Sequence, residues 1–313
     1  MTTSPMSAVR IESLDSTSIG LKPGQYTVSE PSLVAKASAS LSATPRPFLK
    51  WAGSKRRFLV DLIPHLPVAF STYYEPFLGG ASLFFLLAPP RAVLGDLCDP
   101  LIETYQSVRN NPSAVLRFLS PLKQTPDIYY AIRGNPGGGP YKRAAEFIYL
   151  NKTCWNGLYR VNQKGEFNVP FGRPKSDGVA NPENIKACSR ALASPGVSIQ
   201  VRDFEATLEN AGSGDLIFLD PPYVTGSGAN GFRDYNKRLF SWQDQVRLAH
   251  LAAHLQSQGA TVIVTNVDDP SVRKLYPTFD KHTLTAHFTI SGRMDRRRLG
   301  SELLLVGRRK GKS

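Results

Sequence analysis

The run GDLIFLDPPYV, Gly214–Val224, constrains the fold of this chain more than any other segment. Leu216, Ile217, Phe218 and Leu219 form an unbroken apolar run, which reads as a buried strand. Two prolines follow at once. A proline donates no ladder hydrogen bond and fixes its own backbone torsion, so the strand must stop at Asp220 in a stiff corner. An acid at the end of a parallel strand lies in the crevice where open α/β sheets bind their ligands.

The rest of the chain supports such a sheet. STYYEPF and RAVLGD read as strands, with ASLFFLLA between them as a short buried helix. Strand–helix–strand alternation implies a parallel sheet with right-handed crossovers. VSIQVRDF, DLIFLD and TVIVTN extend it, and a terminal strand pair ends in SELLLVG. A helix opens at Ser241 with Asp244 three residues on and closes near Gly259. Between Pro112 and Pro195 the texture changes, and NQKG between aromatic runs predicts a hairpin. The expected organisation is therefore a disordered tail over 1–44, rich in Ser, Thr, Ala and Pro. A main domain follows from 45–111 and 196–307, interrupted by a subdomain at 112–195, with a basic tail at 308–313.

The balance of charge bears on the partner. There are 38 Lys and Arg against 25 Asp and Glu, a net charge of +13. Such an excess favours a polyanion such as nucleic acid over solubility alone. No window approaches the roughly 18 apolar residues that span a bilayer, and the start lacks the pattern of a secretory signal. Three scattered cysteines, Cys98, Cys154 and Cys188, show no metal-ligand spacing and fit a reducing cytoplasm. His250 and His254 are one helical turn apart, but no acidic or third ligand stands beside them, so no metal is expected.

Three constellations carry chemistry. In YYEPFLGGASL a strand ends at Glu75, and Gly79 and Gly80 let the backbone approach a ligand before the helix begins. Asp96, at the end of the next strand, is placed to accept the two hydroxyls of a ribose; a plain tight turn with an exposed acid is the alternative. In PFLKWAGSKRR, Lys50, Trp51 and Lys55 set cations and a ring beside a flexible loop, although a core tryptophan with surface lysines reads equally well. In the opening run, Asp220 and the Pro221 carbonyl are rigid acceptors, Pro222 stiffens the bend and Tyr223 offers a ring face. Two acceptors and a ring suit the exocyclic amine of a flat base. Hydrogen bonds to both its protons aim the nitrogen lone pair at an electrophile, a catalysis of positioning and electrostatics.

Taken in order, FLKWAGSKRR, YYEPFLGGASLFF, VLGDLCDPLI, FIYLNKTCWNGLYRVNQKGEFNVPFG and LIFLDPPYV resemble the Dam-type DNA adenine methyltransferases, over roughly Pro47–Gly307. Glycine loop first and DPPY last is the order of the alpha group of amino-methyltransferases. The resemblance implies an α/β fold, a Rossmann-like methyltransferase sheet with an inserted, mainly helical target-recognition subdomain carrying a β-hairpin. It implies S-adenosyl-L-methionine as cofactor, S-adenosyl-L-homocysteine as product, and methylation of adenine N6 in double-stranded DNA by a monomeric, cytoplasmic protein. Trp51, Lys55, Phe77, Gly79, Gly80, Asp96, Asp203, Phe204 and Asp220 fall on cofactor-binding positions. Asp220, Pro221, Pro222 and Tyr223 fall on the catalytic corner that grips a flipped adenine, since N6 inside the stack is out of reach. Lys50, Trp155, Asn156, Leu158, Arg160 and Pro170 match DNA-recognition positions, with GATC the favoured target. Arg160 suits guanine O6 and N7; a phosphate contact is its other reading.

The chain departs from the family at Ser54, Ala81 and Cys98, where Gly, Gly and Asn are usual. The basic loop SGRMDRRRLG is expected on phosphates or as a solvated face. A methyltransferase acting on RNA or a protein amide, or a catalytically silent DNA-binding protein, are the rival readings.

Overall fold

The computed structural model describes residues 24–38, 45–174, 178–179, 181–226, 240–284 and 302–309. The loop at 291–300, most of the basic tail and the leader before residue 24 lie outside the described residues.

Nine strands are present among them: β1 Tyr26–Thr27, β2 Ala69–Phe70, β3 Tyr73–Glu75, β4 Arg91–Asp96, β5 Gly196–Val201, β6 Leu216–Leu219, β7 Thr261–Val267, β8 Asp280–Leu284 and β9 Glu302–Gly307. Seven make one sheet in the order β5-β4-β3-β6-β7-β9-β8. The first five in that order are parallel; β9 is antiparallel to both β7 and β8. From β3 the chain runs outward through β4 and β5, then returns to lay β6 on the other side of β3. The order reverses there, and a crevice opens at the carboxyl ends of β3 and β6.

Period-two alternation explains how the sheet is covered. Leu216 and Phe218 enter one apolar cluster while Ile217 and Leu219 enter the other. Leu304 and Val306 against Leu303 and Leu305 repeat the division in β9. Each side chain is fully or almost fully buried, which contributes on the order of 2 kcal/mol apiece. The helix Ser82–Leu87 is buried on every side between β3 and β4. Trp242–Gln258 begins with the expected capping box between Ser241 and Asp244 and ends on left-handed Gly259.

The segment 112–195 is mostly helical, with helices Pro112–Leu119, Pro126–Gly134, Pro140–Thr153 and Pro182–Leu192. Val115, Tyr129, Ile148 and Ile185 join the same apolar cluster as β3, β4 and β5, and Pro140–Thr153 packs along the helix Asp99–Asn110. The NQKG turn is closed by an antiparallel bridge between Val161 and Phe167. Asn162 accepts the amides of Lys164 and Glu166 within it.

The leader requires a correction. Residues 24–38 are folded, not structureless: β1 pairs with β2, and the helix Glu30–Ser38 buries Leu33 in the main core. Tyr26 donates to the Leu87 carbonyl at 2.6 Å. A few apolar side chains and an unpaired neighbouring strand suffice, which bulk composition conceals. STYYEPF is also shorter as a strand than its sequence suggests, since only Tyr73–Glu75 join the sheet.

Candidate active site

The reversal between β3 and β6 opens a cleft of about 1080 Å³ lined by Trp51, Lys55, Phe77, Gly79, Gly80, Asp96, Asp203, Phe204 and Asp220–Tyr223. Leu158 and Arg160 reach its wall. The glycine loop, the acid after β4 and the proline corner after β6 thus meet in one place, brought there by the sheet order.

Asp220 leaves β6 into a polar cluster. Lys55, only 2% exposed, sets Nζ 2.8 Å from Asp220 Oδ1 and 3.6 Å from Glu302 Oε2. The same ammonium donates to the Gly53 carbonyl at 2.6 Å and lies 5.1 Å from the Tyr223 ring centroid. Thr265 donates to Asp220 Oδ1 at 2.7 Å, and the Tyr223 hydroxyl donates to Glu302 Oε2 at 3.0 Å. Burial lifts the Asp220 carboxyl above the ordinary range, while Lys55 and then Thr265 pull it back. Burial, then Asp220 and Glu302, push the Tyr223 phenol well up, so it remains a neutral donor. The corner therefore combines a held carboxylate, a neutral ring and a buried cation.

Asp96 is fixed from two sides. Gly79 N–H donates to its Oδ2 at 3.1 Å and Cys98 N–H to its Oδ1 at 3.0 Å. A carboxylate has about four lone-pair sites, so both oxygens keep capacity for a vicinal diol. Gly79 has φ +44°, and a Cβ there would stand 2.7 Å from Trp51 Cδ1. That close approach of backbone to ring shapes the floor of the cleft. Burial, then the charge of Asp96, push the nearby Cys98 thiol up to about 12, which makes it inert. Glu75, at the end of β3, accepts from Tyr73 at 2.9 Å, and burial raises its carboxyl well above normal.

An aromatic wall completes the site. Phe77 stacks on Phe204 at 5.7 Å, and Phe240 meets both edge-on. Arg247 covers the Phe204 ring at 4.4 Å and pairs with Asp203, Glu205 and Asp244. Asp203 also caps the short helix Phe204–Thr207. Trp51 stacks at 5.7 Å on Tyr159, which carries the cleft into the hairpin.

Of the remaining DNA-recognition candidates, Lys50, Trp155, Asn156 and Pro170 sit beside the cleft rather than in its lining. Trp155 is 55% exposed, and its amide donates to the Pro170 carbonyl at 2.9 Å. Asn156 takes a left-handed conformation, φ +54°. Arg160 is exposed, its Nε 2.7 Å from Asn168 Oδ1. Along the helix Trp242–Gln258, His254 meets Gln258 at 3.0 Å, and no group of three metal-binding side chains occurs among the described residues.

Sequence reading missed two members of the central cluster. Glu302 reaches it from β9 and Thr265 from β7. The available signal was a polar residue inside each apolar strand, Thr265 within TVIVTN and Glu302 at the head of ELLLVG.

Known proteins are similar to this chain over most of its length. Residues 51–290 match the family described as D12 class N6 adenine-specific DNA methyltransferase. The Type II methyltransferase M1.LlaDCHI of Lactococcus lactis subsp. cremoris is 34% identical over 269 residues, covering 83% of this chain and 95% of its own length. The DNA adenine methylase of Serratia marcescens is 34% identical, over 84% of this chain and 98% of its own. That of Escherichia coli (strain K12) is 31% identical, over 83% and 95%. With the glycine loop, Asp96 and the Asp220–Tyr223 corner converging on one cleft, the chain belongs to the D12 class of N6 adenine-specific DNA methyltransferases.

Proposed function

We propose that this enzyme transfers the methyl group of S-adenosyl-L-methionine to N6 of an adenine flipped out of double-stranded DNA, with GATC as its target. The observation that carries the reading is the shared cleft: Asp96, the glycine loop and Asp220–Tyr223 all line it.

The residues fit the cofactor. Asp96, held by two backbone amides, retains acceptor sites for ribose hydroxyls. Gly79 and Gly80 bring the bare backbone up against Trp51, while Phe77 and Phe204 offer an apolar border for a purine. When bound, S-adenosyl-L-methionine supplies a methyl group on a sulfonium sulfur and departs as S-adenosyl-L-homocysteine.

The chain's own contribution is positioning. Asp220 and the Pro221 carbonyl accept hydrogen bonds from the two N6–H groups, so the nitrogen lone pair points away from the ring plane, and Pro222 stiffens the corner. One N6 proton is released to solvent once the N–C bond has formed and the C–S bond has broken. Tyr223 stacks on the base. Lys55, 2.8 Å from Asp220, offsets part of the burial that raises its carboxyl. Fixed acceptors in a water-poor cleft need no reorganisation as the bond forms. No helix among the described residues is long and apolar enough to cross a membrane, and a DNA substrate fits a monomeric cytoplasmic enzyme.

Segment 112–195 acts as the target-recognition subdomain. Lys50, Trp155, Asn156, Leu158, Arg160 and Pro170 gather around the hairpin, and GATC rests on their match to base-contacting positions of Dam-type enzymes. The net charge of +13 favours the phosphate backbone. Tritiated-methyl transfer to duplexes with and without GATC tests the whole. Transfer only to GATC duplexes is expected. Equal transfer to both refutes the target, and transfer to neither refutes DNA as the substrate.

A further inference from the structure

Asn151, near the end of the helix Pro140–Thr153, is 2% exposed and lies outside the lining of the cleft. Its side chain makes three hydrogen bonds, all to backbone. Oδ1 accepts the Lys50 amide at 2.7 Å, and Nδ2 donates to the Lys50 carbonyl at 2.7 Å. Nδ2 also donates to the Gly157 carbonyl at 3.3 Å. One carboxamide thus clasps two segments whose joined residues, Lys50 and Gly157, lie over a hundred positions apart: the loop before Trp51 and the turn that starts the hairpin.

The clasp is close-fitting. Gly157 has φ +65°, and a Cβ on it would stand 2.5 Å from Lys50 Cβ and 2.8 Å from the Lys50 carbonyl oxygen. The Cys154 thiol donates to the Asn151 carbonyl at 3.4 Å and to that of Leu158 at 3.3 Å, which ties the same turn from below. On either side of the clasp stand the groups with freedom to face DNA. Lys50 is exposed with Nζ 3.3 Å from the Lys152 carbonyl, and Trp155, Asn156 and Arg160 are exposed on the hairpin side. Only a side chain with a donor and an acceptor on one planar group can satisfy both an N–H and two carbonyls at this depth.

We propose that Asn151 is a positioning residue for target discrimination: it locks the Lys50 backbone to the Gly157 turn, so that side chains from two distant segments form one rigid reading surface. The inference rests on the reading of this chain as a sequence-specific adenine methyltransferase. It predicts that loosening the clasp lowers discrimination between DNA sequences more than it lowers cofactor binding. Asn151→Asp is the direct variant, because it keeps the shape but turns an acceptor toward the Lys50 and Gly157 carbonyls. Buried groups left unpaired in this way lose the bond and retain the desolvation cost.

The test begins with wild-type enzyme expressed in cells lacking adenine methylation, where mapping N6-methyladenine across the genome defines the target. Rates are then measured on duplexes carrying that target and its single-base variants, with S-adenosyl-L-homocysteine affinity measured in parallel by calorimetry. For Asn151→Asp the ratio of target to variant rates should fall at least tenfold while the affinity stays within about threefold, a tenfold ratio corresponding to about 1.4 kcal/mol. Gly157→Ala presses on the same contact from the opposite side, leaves the carboxamide intact, and should reduce the ratio likewise. A merely structural role lowers all rates together and leaves the ratio untouched. That outcome in whichever of the two variants folds, judged by thermal melting, overturns the proposal. Absence of N6-methyladenine with the wild-type enzyme instead refutes the underlying function.

Discussion

Tyr223 and Glu302 lie 79 positions apart and share a hydrogen bond of 3.0 Å. The proline corner after β6 is thereby pinned to the first residue of β9. Glu302 also accepts from Arg57 at 3.0 Å and lies 3.6 Å from Lys55, so one carboxylate organises a phenol and two cations. Removing it by Glu302→Ala should reduce turnover about 10- to 100-fold, the range for a hydrogen bond to a charged group of about 1.5–3 kcal/mol. Tyr223→Phe should account for part of that loss, and the double variant should cost less than the two combined. Single-turnover methylation rates within twofold of wild type for Glu302→Ala would remove Glu302 from the mechanism.

In the proposed mechanism Asp220 accepts one hydrogen bond from the amine, best as an ionised carboxylate, yet burial raises its carboxyl above the ordinary range. Activity should therefore fall on the acid side at a pH above that of an exposed aspartate. Thr265 lowers the same carboxyl through its 2.7 Å bond. The near-isosteric Thr265→Val should move the acid limb to still higher pH, and Thr265→Ser should restore it. A pH–rate profile with an unmoved limb in Thr265→Val would contradict this assignment.

Glu75 gives a stability prediction of definite sign. Burial raises its folded-state carboxyl well above the unfolded value, outweighing its bonds from Tyr73 and the Phe84 amide. A group so raised contributes stability at pH below its unfolded value near 4.5, and the contribution is lost as pH rises through the folded value. Glu75→Gln keeps an acceptor and removes the titration, so urea midpoints of the variant should decline less than those of wild type from pH 5 upward. Parallel curves for the two proteins would show that Glu75 does not titrate as its burial requires.

Gly79 combines a left-handed backbone with a 2.7 Å approach to Trp51. Gly79→Ala adds about 1–2 kcal/mol of left-handed strain and displaces the indole from the cleft. Affinity for S-adenosyl-L-homocysteine should fall roughly tenfold by calorimetry. Retained affinity would mean that the floor of the cleft tolerates the shift.

Local signals were legible in the sequence and distant ones were not. The DPPY corner, the capping box at Ser241 and the turn at Gly165 are each encoded within a few residues, and each was readable because its physics is equally local. Thr265 and Glu302 were hidden because their partners lie 45 and 79 positions away. Asn151 was concealed for the same reason, since its partner Lys50 lies 101 positions away. The folded part of the leader was missed because Tyr26 and Leu33 are two useful side chains in a Ser- and Ala-rich setting, and a composition average discards them. The helices of 112–195 joined the main core for a reason no window reveals, namely that Asp99–Asn110 offers them a face.

The insertion of β9 between β7 and β8 has a consequence for synthesis. A nascent chain displays the glycine loop and the proline corner long before the strand bearing Glu302 leaves the ribosome. Until that strand slots in, Lys55 and Tyr223 lack their common anchor, and the edge of β7 is open to other strands. Of the polar cluster around Asp220, Glu302 is thus the last member to be made. A half-made enzyme holds its parts without yet being armed.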